Sequence, residues 1–204
     1  NQMIQSHKMP SFISDADCKL TLYKNCRNTI NIARTSLRFL GNNKNPKMYD
    51  GALIGEQADM YYATNIEESI HTLNYVIDKL EEEKYENIQI LTCKTEDTSI
   101  IKNECIDGKY LYRGKKYPFT TWRKYKGLEA ESVILIDIDE ELMREEIEQL
   151  LYVGASRAKY KLNIIANLNE DKCGILLEKY GYKKDRKPYK TLATLFNSRF
   201  KKIE

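Results

Sequence analysis

Apolar positions along this chain alternate between a helical and a strand-like period. Ile30, Ala33, Leu37 and Leu40 recur at helical spacing, and Gly41 supplies a stop. Ile66, Ile70, Leu73, Ile77 and Leu80 mark one face of a longer helix, with Thr64 and Glu67 as a capping-box pattern at its start. Short strands are expected at residues 19–23, 59–63, 88–92 and 162–166. Residues 133–138 read as a continuous apolar run, as expected of a strand covered on both faces. Asp107-Gly108 and Arg113-Gly114 punctuate a hairpin around which Tyr110, Tyr112, Tyr117 and Phe119 alternate. Met143, Ile147, Leu150 and Leu151 mark a further helix. Two more follow in the tail, one on Cys173, Leu176, Leu177 and Tyr180, the other on Leu192, Leu195 and Phe196. Strand–helix alternation of this kind predicts a three-layer α/β domain with a mostly parallel sheet. In such sheets, loops at the carboxyl ends of the strands are where chemistry is expected.

Composition narrows this picture little. The 204 residues fit one domain, 1–204, and 42% hydrophobic with 31% charged residues is a folded, water-soluble balance. No apolar run approaches bilayer length, and the polar start lacks a signal-peptide core, so no membrane contact and a cytoplasmic location are expected. Net charge is +3 from 33 basic and 30 acidic residues, too even to announce a nucleic-acid partner. Any such surface must arise from local placement. The five cysteines at 18, 26, 93, 105 and 173 never take CxxC spacing, and His7 and His71 stand alone, so no metal site is expected. The charged run 79–84 reads as a solvated helix end.

Three segments carry candidate chemistry. In LYKNCRNT, residues 22–29, Arg27 stands just before a helix start, where the helix dipole disfavours a cation. That placement suits a group aimed at an external anion, although a loop arginine is more often a surface ion-pair partner. In FTTWRKYKGLE, residues 119–129, cations, hydroxyls and aromatics precede a glycine and then the buried strand. Its hydroxyls can hold phosphate oxygens, and Trp122 and Tyr125 are either base-stacking platforms or core. In QLLYVGASRAK, residues 149–159, small residues precede Arg157; the plainer alternative is a helix C-terminus where Arg157 and Lys159 complement the dipole.

The order and content of the three segments resemble the C-terminal motifs of superfamily-one helicases of the UvrD/Rep type. NCRNT is similar to motif IV, KGLE with its preceding threonines to motif V, and LYVGASRAK to motif VI. The resemblance implies a RecA-like (P-loop NTPase-like) motor domain, the second of two, in a compact form without the large inserted accessory domain. It implies that Arg27 and Arg157 are arginine fingers toward ATP and magnesium held mainly by a first, N-terminal RecA-like domain of the same chain. Glu129 would bind the ribose, and Gly127 would let the loop approach the cleft. Gln2 would be the end of motif III, sensing the terminal phosphate. Thr120, Thr121, Arg123 and Lys126 would touch a single strand of nucleic acid, expected to be DNA.

Departures from the pattern matter as well. No GxxxxGK[ST] sequence is present, so the chain lacks the Walker A loop. Cys26 stands where the family commonly has an adenine-stacking aromatic, and Arg123 where it often has histidine. The expectation is a fragment that is monomeric and inactive alone, from an ATP-dependent DNA helicase or translocase. The alternative is a non-catalytic nucleic-acid-binding or interaction module on the same fold. A different nucleotide-dependent α/β enzyme would need a Gly-rich loop, which the sequence lacks.

Overall fold

The computed structural model describes residues 24–41, 44–139, 145–182 and 186–203. The strand expected at 19–23, Gln2, Cys18, His7 and Met143 lie outside them. The elements in chain order are α1 (Ile30–Arg38), β1 (Ala58–Ala63), α2 (Ile66–Glu82), β2 (Ile88–Thr92), β3 (Cys105–Ile106) and β4 (Lys109–Tyr112). They continue with β5 (Lys115–Thr121), β6 (Ala130–Ile138), α3 (Glu145–Ala155), β7 (Ala158–Asn167), α4 (Glu170–Lys179), α5 (Pro188–Leu195) and β8 (Ser198–Phe200). The sheet order is β3-β4-β5-β2-β6-β7-β1-β8. From β5 to β8 every pairing is parallel; β3 and β4 extend the β5 edge as antiparallel hairpins.

Helices cover both faces, which is why β6 must be apolar throughout most of its length. One face packs against α1, α3, α4 and α5 through residues such as Ile32, Phe39, Leu151, Leu177 and Phe196. The other packs against α2 through Leu73, Val76, Ile77 and Leu80, with Tyr110, Tyr117 and Phe119 from the hairpins. This is the expected three-layer α/β arrangement with a mostly parallel sheet.

Several local expectations are corrected. The helix at 30–38 forms, but its buried side chains are Ile32, Ala33, Thr35 and Ser36, followed by Phe39. Leu37 is only half-buried and Leu40 is exposed, because Phe39 rather than Leu40 stacks on Phe196, at 4.9 Å between ring centroids. Helix α2 starts one residue later than the Thr64–Glu67 pattern implies. Asn65 is the N-cap and accepts from Glu68 N at 2.8 Å, while the Glu68 carboxylate takes Thr64 N and Oγ1, each at 2.7 Å. Asparagine caps as well as threonine, and it places Ile66 in solvent. The two X-Gly turns make two hairpins, not one. Asp107 and Arg113 both take left-handed φ, of 51° and 47°, and glycine follows each.

The apolar run 133–138 contains Asp137, fully buried and at φ 63°. The register between β6 and β7 slips there, between Leu135 and Ile138. The bulge turns the carboxylate onto Thr92 Oγ1 at 2.6 Å, Ser99 Oγ at 2.7 Å and Ile100 N at 3.1 Å. Three donors offset the cost of burying the charge.

Candidate functional site

Three segments distant in sequence meet at the amino-terminal edge of β6 and β7. The expectation put the candidate chemistry at the carboxyl ends, whereas Arg27, Glu129 and Arg157 stand at the amino ends. Glu129 directly precedes β6, and Arg157 directly precedes β7. The loop before α1 is built by Asn25, whose Oδ1 accepts from Arg27 N at 2.9 Å and Asn28 N at 3.3 Å. Asn28 is buried and clasps the backbone of the third segment, donating to Ser156 O at 2.9 Å and Ala158 O at 2.5 Å. Thr29 N donates to Lys159 O at 3.2 Å, and Ala130 N to Arg157 O at 3.1 Å. A buried asparagine is satisfied only if these loops stay in register, so the contact fixes Arg27 relative to Arg157.

Glu129 is the hub. Arg27 Nε lies 3.1 Å from its Oε2 and Lys159 Nζ 3.0 Å from its Oε1. The Lys159 hydrogen bond, and the charges of Lys159 and Arg27, hold the Glu129 carboxyl below the usual carboxylate range. Arg157 is 1% exposed. Its Nε donates to Val153 O at 3.0 Å, its Nη2 to Ser156 Oγ at 3.1 Å and its Nη1 to Leu128 O at 3.4 Å. It therefore closes the last turn of α3, the plainer alternative raised by its position. Burial, then repulsion from Arg27, pushes its pKa down from the ordinary arginine value. Arg27, Arg157 and Lys159 against Glu129 leave an excess of positive charge at this edge. A groove of about 620 Å³ opens beside it, lined by Cys26, Arg27, Asn28, Pro46, Lys47 and Tyr152 among others. Cys26 is exposed.

Of the nucleic-acid candidates, Thr120, Thr121 and Arg123 lie at the opposite edge. Thr121 ends β5 in register with Thr92, which is in register with Ile136 near the end of β6. Ala130 begins β6 six residues earlier, about 20 Å away at the usual rise. Residues 122–129 cover that distance as a chain of turns along one face of the sheet. Trp122 and Tyr125 are buried, so they anchor the turns and present no ring to a base. Tyr125 OH donates to Glu129 O at 3.0 Å. Arg123 is exposed and lies over the Trp122 ring, 5.0 Å from its centroid. Thr120 Oγ1 donates to Glu96 at 2.9 Å, and Lys124 Nζ donates to the same carboxylate at 2.8 Å. Lys126 and Gly127 are exposed partway along; Gly127 takes φ 92°, open only to glycine without strain. A groove of about 740 Å³ runs past Lys94, Glu96, Thr121, Arg123, Lys124 and Asp139.

Sequence reasoning missed Asn28, the Lys159–Glu129 bridge and Glu96. Asn28 and Lys159 sit inside the segments singled out, so their polarity beside an arginine was available as a signal. Glu96 comes from the β2 end and has no local signal. Among the described residues no group of His, Cys, Asp and Glu could hold a metal ion, and no helix is long and apolar enough to cross a membrane.

Residues 119–165 match the UvrD-like helicase C-terminal domain family. That stretch runs from β5 through β6 and α3 into β7, and holds Glu129 and Arg157. No curated protein matches the chain. Among solved structures, the chain is similar to the C-terminal domain of a possible DNA helicase from Lactobacillus plantarum WCFS1. The two share 20% identity and a TM-score of 0.54, over 69% of this chain and 86% of that one. The matched segment and the shared fold point the same way: residues 119–165 are similar to the UvrD-like helicase C-terminal domain family, and the fold is similar to that of a helicase C-terminal domain.

Proposed function

We propose that this chain is the second motor domain of an ATP-dependent DNA helicase or translocase, presenting its amino-terminal sheet edge to ATP and magnesium held on a first RecA-like domain. The observation that carries this reading is the cationic edge itself. Three segments converge there, with Asn28 clasping the backbone on both sides of Arg157, and they gather two cations on the Glu129 carboxylate with the Arg157 guanidinium close by. That charge excess fits a triphosphate, and ATP bound there supplies the phosphoryl group for transfer.

Arg27 is the half-exposed guanidinium, and it needs only to leave Glu129 to meet an anion. Arg157 reaches one only by releasing Val153 O and Ser156 Oγ. Each guanidinium would stabilise negative charge spread over the transferring phosphoryl oxygens. Glu129, freed from Arg27, would accept hydrogen bonds from the ribose hydroxyls. Tyr152 lines the groove beside Cys26 and supplies the aromatic surface that Cys26 does not. At the other edge Thr120, Thr121 and Arg123, with Lys126 partway along the span, would hold phosphates of a single strand, in a sequence-independent and salt-sensitive way.

The burial of Arg157 favours a second reading, a nucleic-acid-binding or interaction module in which that arginine only caps α3. Substitution in the full-length helicase separates the two. Arg27→Ala and Arg157→Ala should each lower turnover about a thousandfold while ATP binding survives, and Arg157→Lys should rescue poorly. Melting temperature is measured alongside. If Arg157→Ala lowers the melting temperature while turnover per folded molecule stays near normal, Arg157 is a cap and the motor reading loses its second finger. If Arg27→Ala is equally silent, the reading fails.

A further inference from the structure

The domain has a second opening at its carboxyl-terminal edge, far from the groove beside Arg123. It is a pocket of about 570 Å³ between β1, the start of α2, the start of α5 and the end of β8. Its floor is aromatic. Tyr62 and Tyr189 lie with ring centroids 4.4 Å apart, and Phe200 stacks on Tyr189 at 5.8 Å. Tyr62 OH donates to Tyr189 O at 3.0 Å, which ties β1 to α5 and holds the rings in place. All three rings are only half-buried. A rigid, partly open aromatic floor loses little conformational entropy when a flat ring lands on it.

Its rim is basic. Arg186, Lys187, Lys190, Lys201 and Lys202 line it against Glu68 and Glu170, five cations to two carboxylates. The ammonium groups of Lys190, Lys201 and Lys202 have no carboxylate partner among the described residues. The two carboxylates are otherwise engaged. Glu68 is held by Thr64, whose hydrogen bonds keep it below the usual carboxylate range, and Glu170 sits in the first turn of α4, where the helix dipole favours it.

We propose that this pocket is a second contact for the same single strand, taking a base against Tyr62, Tyr189 and Phe200 and the flanking phosphates on Lys190, Lys201 and Lys202. Aromatic floor plus unpaired cations is the combination that a single strand uses without regard to sequence. The inference rests on the reading of the Arg123 groove as a strand contact. Both openings lie on one edge. Tyr62 is in register with Ala166, and Ala166 with Ile138, close to the row of Ile136, Thr92 and Thr121. From β5 to β1 is four strand spacings, about 19 Å. At 3.4 Å per stacked nucleotide that is about six nucleotides. A short oligonucleotide occupies one opening, and a longer one occupies both.

Anisotropy of 5′-fluorescein dT4 and dT12 across a salt series, with this 204-residue chain, tests the idea. The variants are Lys201→Glu with Lys202→Glu, Tyr189→Leu, and Arg123→Ala, each checked for an unchanged melting temperature. Wild type should gain affinity steeply from dT4 to dT12. The double lysine variant should lose most of that gain, with dT12 weakened tenfold or more and the salt slope lower by about two. Tyr189→Leu should weaken dT12 about tenfold at every salt concentration, because a stacking loss is not ionic. If the pocket variants bind dT12 like wild type while Arg123→Ala weakens it, the pocket is no part of the track and the groove reading stands. If dT12 binding is indifferent to Arg123→Ala as well, the groove reading fails and takes the pocket with it. Polyglutamate binding that changes in the lysine variant, with dT12 unchanged, would assign the pocket to an acidic peptide and overturn the proposal.

Discussion

Asp59 and Lys161 are fully buried charged residues side by side at the start of β1 and β7, and their survival there depends on partners. Lys161 Nζ is 2.8 Å from Glu56 and 3.1 Å from Asp59, and Arg199 bridges the same two carboxylates at 2.8 Å each. Burial alone would lower the Lys161 pKa, but the Glu56 hydrogen bond and the Asp59 charge outweigh it, and the net shift is upward. The hydrogen bonds of Lys161 and Arg199 bring Glu56 down to about 2. A lowered carboxylate stabilises the fold fully above its unfolded pKa, and that contribution fades as pH falls through the folded one. The window is therefore from about 4.5 down to about 2. Glu56 is half-exposed, so solvent screens much of the effect. Glu56→Gln should flatten the fall in melting temperature over that window and leave the neutral-pH stability only slightly lower. An unchanged acid limb in the variant would show that the loss of stability comes from other carboxylates. None of this was legible in the sequence: Glu56 and Lys161 are 105 positions apart, and Lys161 merely precedes an apolar run.

At the level of elements, much more could be read in advance. Strands β1, β2, β6 and β7 and helices α1 to α5 follow from apolar period, because burial on one or both faces is a local pattern. What could not be read is where long-range packing shifts a local choice by one residue. The cap moved from Thr64 to Asn65, and the buried face of α1 rotated toward Phe39. Asp137 is the sharpest case. A carboxylate in an apolar strand signals something, but its partners come from the end of β2 and the loop after it. That loop also carries Glu96, which meets Thr120 and Lys124. Asp137 thus holds the wall of the Arg123 groove to the sheet. Asp137→Ala should cost about 3 kcal/mol, since it strips Thr92, Ser99 and Ile100 of a buried charged acceptor. Denaturant unfolding reads the loss. A cost below about 1 kcal/mol would mean that water or a rearranged hydroxyl replaces the carboxylate.

Across the whole molecule, the sheet separates the two edges that the proposed motor would have to connect. The motif order in the sequence put the candidate strand contacts and the candidate ATP-facing residues beside one another in the chain. In the fold, Thr121 and Glu129 stand at opposite edges, and residues 122–129 are the span between them. The span is stiff at both ends. Trp122 and Tyr125 are buried, and Tyr125 OH holds Glu129 O. Its free joint is Gly127, at φ 92° and with nothing within 4 Å of where a Cβ would stand. A side chain there meets no atom, so its whole effect is on backbone torsion. Gly127→Ala should cost about 1–2 kcal/mol of stability through that strain alone. It should also bias the path that joins Glu129 to Arg123 without touching either end. In the full-length motor proposed above, single-strand affinity and strand-free ATP hydrolysis should stay within about twofold. The stimulation of hydrolysis by a saturating single strand should fall about tenfold, because the strain resists the shift that carries one edge's occupancy to the other. Stimulation that survives intact in a variant showing the expected loss of melting temperature would mean that coupling runs by another route, such as through the helices flanking the sheet, and that residues 122–129 only connect two strands.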